Sequence, residues 1–330
     1  MSAPAASPAA APAASVVICT YNRLRMLERA VESCLRNATV RGTAFELIIA
    51  DNSPGRHAQT LIEILAAQGA PVRWIHASPP NISVARNAGL HAATAPLVAF
   101  MDDDLELEPG WLDHLIDTLE QSGADAVIGP VRPRFEGELA AWDPAGARFT
   151  RVLPDTSGTP VIAGGPGRGG GAFVVSTASS LWRVATCFTD PQPFDPAFGV
   201  SGGEDLDLFL RLQLRGRRFA WCAEASVWET IPTSRTRLRF QAMREFAGAQ
   251  VYTTVSVRHS TRPWITAIDI MARGALQTAM GITAMAATGP LVPLGGRPRF
   301  VRHFLRTVAG VGKIAWFRKI PLYHAEKPPG

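Results

Sequence analysis

Residues 96–104 read PLVAFMDDD, six apolar residues that end on three aspartates, Asp102, Asp103 and Asp104. A short apolar run closed by polar residues reads as a buried strand. Carboxylates packed this closely repel one another, and at least one would keep its proton unless a cation intervened. No Lys or Arg stands within several residues of the three. A hard divalent cation with oxygen ligands would resolve the repulsion. The simpler alternative is that the aspartates cap the next helix, but Glu108 and Pro109 are better placed for that.

Outward from this run the same rhythm repeats. SVVICT (15–20), FELIIA (45–50), VRWIHA (72–77) and AVIGPV (126–131) are further predicted strands. Between them, Leu24, Leu27, Val31, Cys34 and Leu35 share one helical face, and Leu61, Ile62 and Leu65 mark a second helix. Ser83 is placed to cap a short helix through His91. Another helix opens at Glu108-Pro109 and stops at Gly123. Alternating strands and helices imply an α/β fold with a mostly parallel sheet covered on both faces. In such sheets ligands bind at the carboxyl ends of the strands. Past Arg132 the rhythm breaks: 132–170 is rich in Pro, Gly and Arg, GAFVVS (171–176) is a strand, 204–215 is a buried helix, and FAWCAEASVW (219–228) is one strand. From Leu238 the chain reads as helical.

The chain has 330 residues, 47% apolar and 18% charged, which suits a globular core and excludes wholesale disorder. Residues 1–14 are an Ala/Pro-rich leader without the pattern of a signal peptide. The net charge of +5 hides an asymmetry. Residues 236–330 hold 14 Lys/Arg against three acids, while 1–235 hold 19 against 25. The acidic front argues against nucleic acid as a partner, and the basic tail suits an anionic membrane surface or an anionic acceptor. The four cysteines make no CxxC pair and read as free thiols of a reducing compartment.

Other candidates follow strands or open helices. Asp51, in IIADNS, can accept a hydrogen bond from a base or ribose, or simply shape the Asp-Asn-Ser-Pro-Gly turn. Arg86, in SVARNAGL, sits in the first turn of its predicted helix, where a cation opposes the helix dipole unless it meets a phosphate; an ordinary surface arginine is the alternative. Glu204 and Asp205 follow Gly202-Gly203, and a carboxylate held there could take a proton from an attacking hydroxyl, although acids at a helix start are also ordinary stabilisers. GGPGRGGG (164–171) lacks the P-loop pattern.

Taken in order, SVVICTYNR, IIADNS, ARNAGL, FMDDD and GGEDLDLFLRL resemble glycosyltransferase family 2, over about residues 15–235. The resemblance implies a GT-A fold, a nucleotide-diphospho-sugar donor (UDP-, GDP- or dTDP-linked), a divalent Mg or Mn ion, and inversion at the anomeric carbon. By that resemblance Thr20, Tyr21, Asn22 and Asp51 hold the nucleoside and Arg86 the nucleotide side of the donor. Asp102, Asp103 and Asp104 hold the ribose and the metal-bound diphosphate, with Asp102 and Asp104 as metal ligands. Asp205 is implied as the base and Glu204 as a support for the acceptor. Cys19 replaces the usual Pro of the first motif. Glu229, in VWETIPTSR, occupies the place of a metal-ligating His. RLRFQAMREF replaces the QxxRW motif of processive members, so a single addition is expected. The rival readings are a non-catalytic, membrane-associated nucleotide-sugar-binding protein and a nucleotidyltransferase, whose Gly-rich loop is missing after the first strand.

Residues 236–330 form the basic, helical appendage. Residues 274–296 carry no charge and are long enough to span a bilayer, but Pro290 and Pro293 interrupt them. An interfacial helix, or a tail packed on the catalytic domain, is the better reading. Arg297, Arg299, Arg302 and Arg306, then Trp316, Phe317, Arg318 and Lys319, suit a headgroup layer. Peripheral attachment at the cytoplasmic face of the membrane is the expectation, within reach of a lipid-borne acceptor.

Overall fold

The computed structural model describes residues 11–153, 156–163, 176–199 and 202–317. Strand β1 (Ala14–Thr20) has no polar face: Val16 and Ile18 enter one core and Val17 the other, all fully buried. That is the two-residue period of a strand with both faces covered. β2 (Phe45–Asp51) and β4 (Leu97–Asp102) flank β1 in parallel, and β3 (Val72–His76) continues parallel beyond β2. The sheet then turns mixed. β9 (Ser179–Arg183) lies antiparallel between β4 and β6 (Ala126–Ile128). β10 (Phe219–Trp221) runs parallel to β6, and β8 (Pro160–Val161) closes the edge. The order is β3-β2-β1-β4-β9-β6-β10-β8.

Helices α1 (Leu24–Asn37), α2 (Gln59–Ala67) and α4 (Trp111–Ser122) cover one face through Leu27, Val31, Ile62, Leu112 and Leu115. Helices α3 (Ile82–Ala92) and α6 (Glu204–Leu214) cover the other through Leu90, Leu208 and Phe209, and the short α5 (Val184–Cys187) follows β9. Each such side chain, fully buried, contributes about 1.5–3 kcal/mol. The α/β fold with helices on both faces is therefore as expected.

Several local expectations are corrected. The cap of α3 is Asn81, whose Oδ1 accepts from the N–H groups of Ser83 and Val84; Ser83 instead donates to the Asp195 carbonyl. Helix α4 begins at Trp111 after Gly110 in the left-handed region, so Glu108 and Pro109 lie outside it; Glu108 accepts from the Trp228 indole. Gly123 does end α4. AVIGPV and FAWCAEASVW each divide between two sheets. β7 (Val131–Phe135), β11 (Val227–Ile231) and β5 (Leu105–Leu107) form a separate three-stranded sheet in the order β5-β11-β7. The Gly-Pro step at Gly129-Pro130 and the turn before Val227 let the chain leave one sheet for the other, which apolar patterning does not register. GAFVVS lies almost wholly outside the described residues, as does GGPGRGGG; the strand of this region is β9, further along the chain.

After α7 (Thr233–Thr236) the chain is helical, as expected: α8 (Leu238–Arg258), α9 (Pro263–Thr288), a short 3₁₀ turn and α10 (Arg297–Ile314). Helix α8 rests on α6, where His259, just past its end, lies 2.8 Å from buried Asp207, and Arg258 pairs with Asp195 at 2.6 Å. Val301 and Leu305 of α10 pack on Trp142. Among the described residues no helix is long and apolar enough to cross a membrane. Arg318 and Lys319 lie outside the described residues.

Gly89 decides how closely α3 sits on the sheet. A Cβ there would stand 2.3 Å from Val17 Cγ1, so only glycine allows this approach. The contact holds Arg86, one turn earlier, over the strand ends. Gly89→Ala is expected to destabilise the protein by roughly 1–3 kcal/mol through overpacking. The measurement is a urea titration; an unchanged midpoint would show that α3 does not need this closeness.

Candidate active site

Parallel pairing sets the strand ends at one level: Thr20 pairs with Asp51, and Cys19 with Asp102. Thr20, Asp51 and Asp102 therefore arrive together at the carboxyl edge, where such sheets bind ligands. Thr20 Oγ1 donates to Asp103 Oδ2 at 2.8 Å. Asp51 is fully buried and already occupied: Oδ1 accepts from the Ser53 N–H, and Oδ2 from the Ala58 N–H and the Trp74 indole, at 2.9, 2.9 and 3.3 Å. The two backbone bonds shape the turn that follows β2. Tyr21 stands at the rim, about half exposed, and Asn22 takes a left-handed backbone (φ 54°) with its N–H bonded to Ser53 Oγ. Asparagine tolerates that conformation better than most residues.

Arg86 is the hub. Its helix starts at Ile82, so it lies in the second turn, not the first. The guanidinium is 7% exposed and faces carboxylates: Nη1 donates to Glu204 Oε1 at 2.5 Å and Asp205 Oδ1 at 2.7 Å, and Nη2 lies 3.6 Å from Asp102 Oδ1. Asp205 also accepts from Thr177, at 3.0 Å from its hydroxyl and 3.2 Å from its N–H. The second oxygen of Glu204 is buried without a hydrogen-bond partner. Burial, with Asp205 adding to it, pushes the Glu204 carboxyl up to about 7 against the pull of Arg86. Burial likewise pushes Asp103 up to about 7.

A second group of charges lies beyond Asp103. Asp104 is 3.6 Å from Arg23 and 3.2 Å from Arg235; Glu229 is 2.8 Å from Arg151 and 3.3 Å from Arg235; Asp103 is 3.4 Å from Arg23. The small sheet builds this group, since β11 carries Glu229 and its Thr230 N–H donates to the Asp104 carbonyl. The expected absence of cations near the three aspartates is thus corrected. Arginines remote in sequence offset part of the repulsion. The carboxylates are suitable hard donors for Mg or Mn, but their arrangement does not fit one as it stands. Among the described residues no three potential ligands converge on a cation position. Asp104 and Glu229 share Arg235, and Asp102, its side chain 41% exposed, is the more open donor.

Sequence reasoning missed Arg23, Arg151, Thr177 and Arg235. Arg23 closes the motif SVVICTYNR and could have been singled out. The others arrive only with the stretch after β7, the entry to β9 and the turn after β11, which no local pattern relates. Asn52 was missed too: its side chain donates to the Ala77 and Pro79 carbonyls and accepts from the Asn81 N–H, tying the end of β2 to the start of α3.

The sequence model of Glycosyl transferase family 2 matches residues 15–167. The chain is 33% identical over 236 residues to the succinoglycan biosynthesis protein ExoM of Rhizobium meliloti, covering 71% of this chain and 72% of that one. It is 33% identical over 116 residues to the poly(ribitol-phosphate) beta-N-acetylglucosaminyltransferase TarP of Staphylococcus aureus, 35% of each chain. The fold resembles the crystal structure of S. aureus TarS 1–349 in complex with UDP, with a TM-score of 0.52 and 14% identity over 90% of both chains.

The buried acids carry a pH signature. A carboxyl raised in the fold binds its proton more tightly there than in the unfolded chain. Its stabilising contribution is complete below its ordinary value of 4.5 and is lost as pH rises through about 7. The ligand-free protein is expected to lose stability across that window, and Glu204→Gln, which cannot ionise, to flatten the loss. Denaturant titrations at several pH values test this; identical slopes for parent and variant would refute it.

Proposed function

The chain belongs to glycosyltransferase family 2, and from that membership we propose that it moves one sugar from a nucleotide-diphospho-sugar to an acceptor hydroxyl, with inversion. It is a glycosyltransferase with the GT-A architecture. The observation that carries the finer reading is the knot of Arg86, Glu204 and Asp205 at the edge where Thr20 and Asp102 end their strands. Arg86 and Thr177 hold Asp205 in one orientation, and the acceptor hydroxyl gives its proton to that carboxylate as it attacks the sugar. A correctly placed base contributes about 10²–10⁴ in rate. Glu204 offers its unpartnered oxygen to a hydroxyl of the acceptor. The nucleotide lies beside Thr20, Tyr21 and Asn22. Arg23, Arg151 and Arg235 stand where negative charge would gather on the departing diphosphate, the kind of fixed charge that favours such a transition state.

The donor to test first is UDP-linked, because UDP is bound by TarS, whose fold this chain shares. A hydroxyl on a growing glycan, free or lipid-linked, is the acceptor class suggested by the name of ExoM. The departure from QxxRW supports a single addition. Four free cysteines support work in a reducing compartment, the cytoplasm. Metal dependence is the family's expectation. A cation at Asp102 and Asp104 would require Arg235 to release Asp104.

A second reading exchanges the two acids. Glu204, raised to about 7, lies in the range suited to proton transfer near neutrality. Asp205→Asn is expected to keep nucleotide binding and to lose transfer by about 10²–10⁴. If Glu204→Gln loses more, the base is Glu204; if both retain turnover, the proposal fails.

Nucleoside diphosphates, with and without Mn, should raise the melting temperature, because a ligand that binds only the folded state stabilises it. A shift with UDP alone, unchanged by Mn, would show that the arginines suffice. A shift that requires Mn would show that Arg235 yields to the cation. No shift with any nucleotide would count against the donor site.

A further inference from the structure

We propose that the exposed face of α9, with the arginine flank of α10, is a docking surface for an anionic lipid bilayer. Helix α9 buries Ala267, Ile270, Gly274 and Gly281 toward its neighbours. The opposite face carries Ile265, Ile268, Leu276 and Met280, with Ala272 between them and Thr283 beyond, at the three- and four-residue spacing of one helical side. These are large apolar groups left in water: Ile268 is 68% exposed, Leu276 62% and Met280 57%, with Trp264 at 81% beside the helix start. From Ile265 to Met280 the row runs about 24 Å. An exposed apolar row of that length, broken by the paired Asp269 and Arg273, marks an interaction surface, whereas scattered exposed apolar residues do not.

Charge identifies the occupant. Arg299, Arg302 and Arg306 follow at three- and four-residue spacing on one exposed flank of α10. Gln277 of α9 donates to the Arg306 carbonyl at 2.6 Å, which sets that flank beside the stripe. The two helices hold one acid, Asp269, and it is paired with Arg273 at 3.0 Å. A second copy of the chain would bring arginines against arginines. Anionic headgroups complement them, while Trp264 and the aliphatic row enter the acyl boundary. No described helix can cross the bilayer, so α9 lies in its plane. Helix α8 joins this surface to α6 and so to Glu204 and Asp205.

The full chain is tested by co-sedimentation with vesicles of phosphatidylcholine containing about one-third phosphatidylglycerol, an anionic surface, and with phosphatidylcholine alone. Binding should be tenfold or more tighter to the anionic vesicles and should weaken with salt. Ile268→Glu with Leu276→Glu should reduce it tenfold or more at an unchanged melting temperature. Arg302→Glu with Arg306→Glu, which leaves the apolar row intact, should do likewise. Equal binding to neutral vesicles, no binding to either, or parental binding by both variants overturns the proposal. So does a stable oligomer, seen by light scattering, that the apolar substitutions disperse, because the face would then belong to a second copy.

Discussion

One buried guanidinium holds the carboxyl edge of the sheet together. Arg86 reaches from α3 to the first residues of α6 and to the end of β4, joining three segments far apart in the chain. A buried charge is tolerated only when it is paired and hydrogen-bonded, and loss of one partner strands the others. Glu204 and Asp205 are adjacent in sequence and would repel each other without that cation. Their placement depends on Arg86, and Arg86 depends on α3 resting directly on β1. The close contact at Gly89 thus lies upstream of the chemistry.

The rest of the site follows the same logic on the other side of Asp103. Arg23, Arg151 and Arg235 come from the loop after β1, from the stretch after β7 and from the turn after β11. The acids hold the arginines in place, so on the proposed function little reorganisation would be needed for a diphosphate to enter. That is the physical basis of electrostatic preorganisation. The exchange of partners a ligand would demand is local: Asp104 and Glu229 share Arg235, and either can keep its second arginine.

Much of this was legible in the residues. The strands β1 to β4 and the helices between them have clean periodicity and good boundaries. PLVAFMDDD marked the strand end at which acids gather, and Arg86, Glu204 and Asp205 were singled out from their helix starts. What failed did so for identifiable reasons. AVIGPV and FAWCAEASVW read as single strands because apolar patterning shows burial, and both sheets bury those side chains. The aspartates seemed to lack cations because the arginines are distant in sequence. The three donors that meet Asp51 also come from residues its local pattern does not single out.

From its residues alone the chain determined its α/β class, the order of its elements, its transferase family and the acids at its strand ends. These are properties of local period and of motifs in sequence order. Tertiary structure decided which charges face one another. It paired Arg86 with Glu204 and Asp205, and it set Arg235 between Asp104 and Glu229. It also left the apolar side of α9 turned outward. The physical reason is that electrostatic partnership and burial depend on distance in space, and strand crossovers bring together side chains that no local pattern relates.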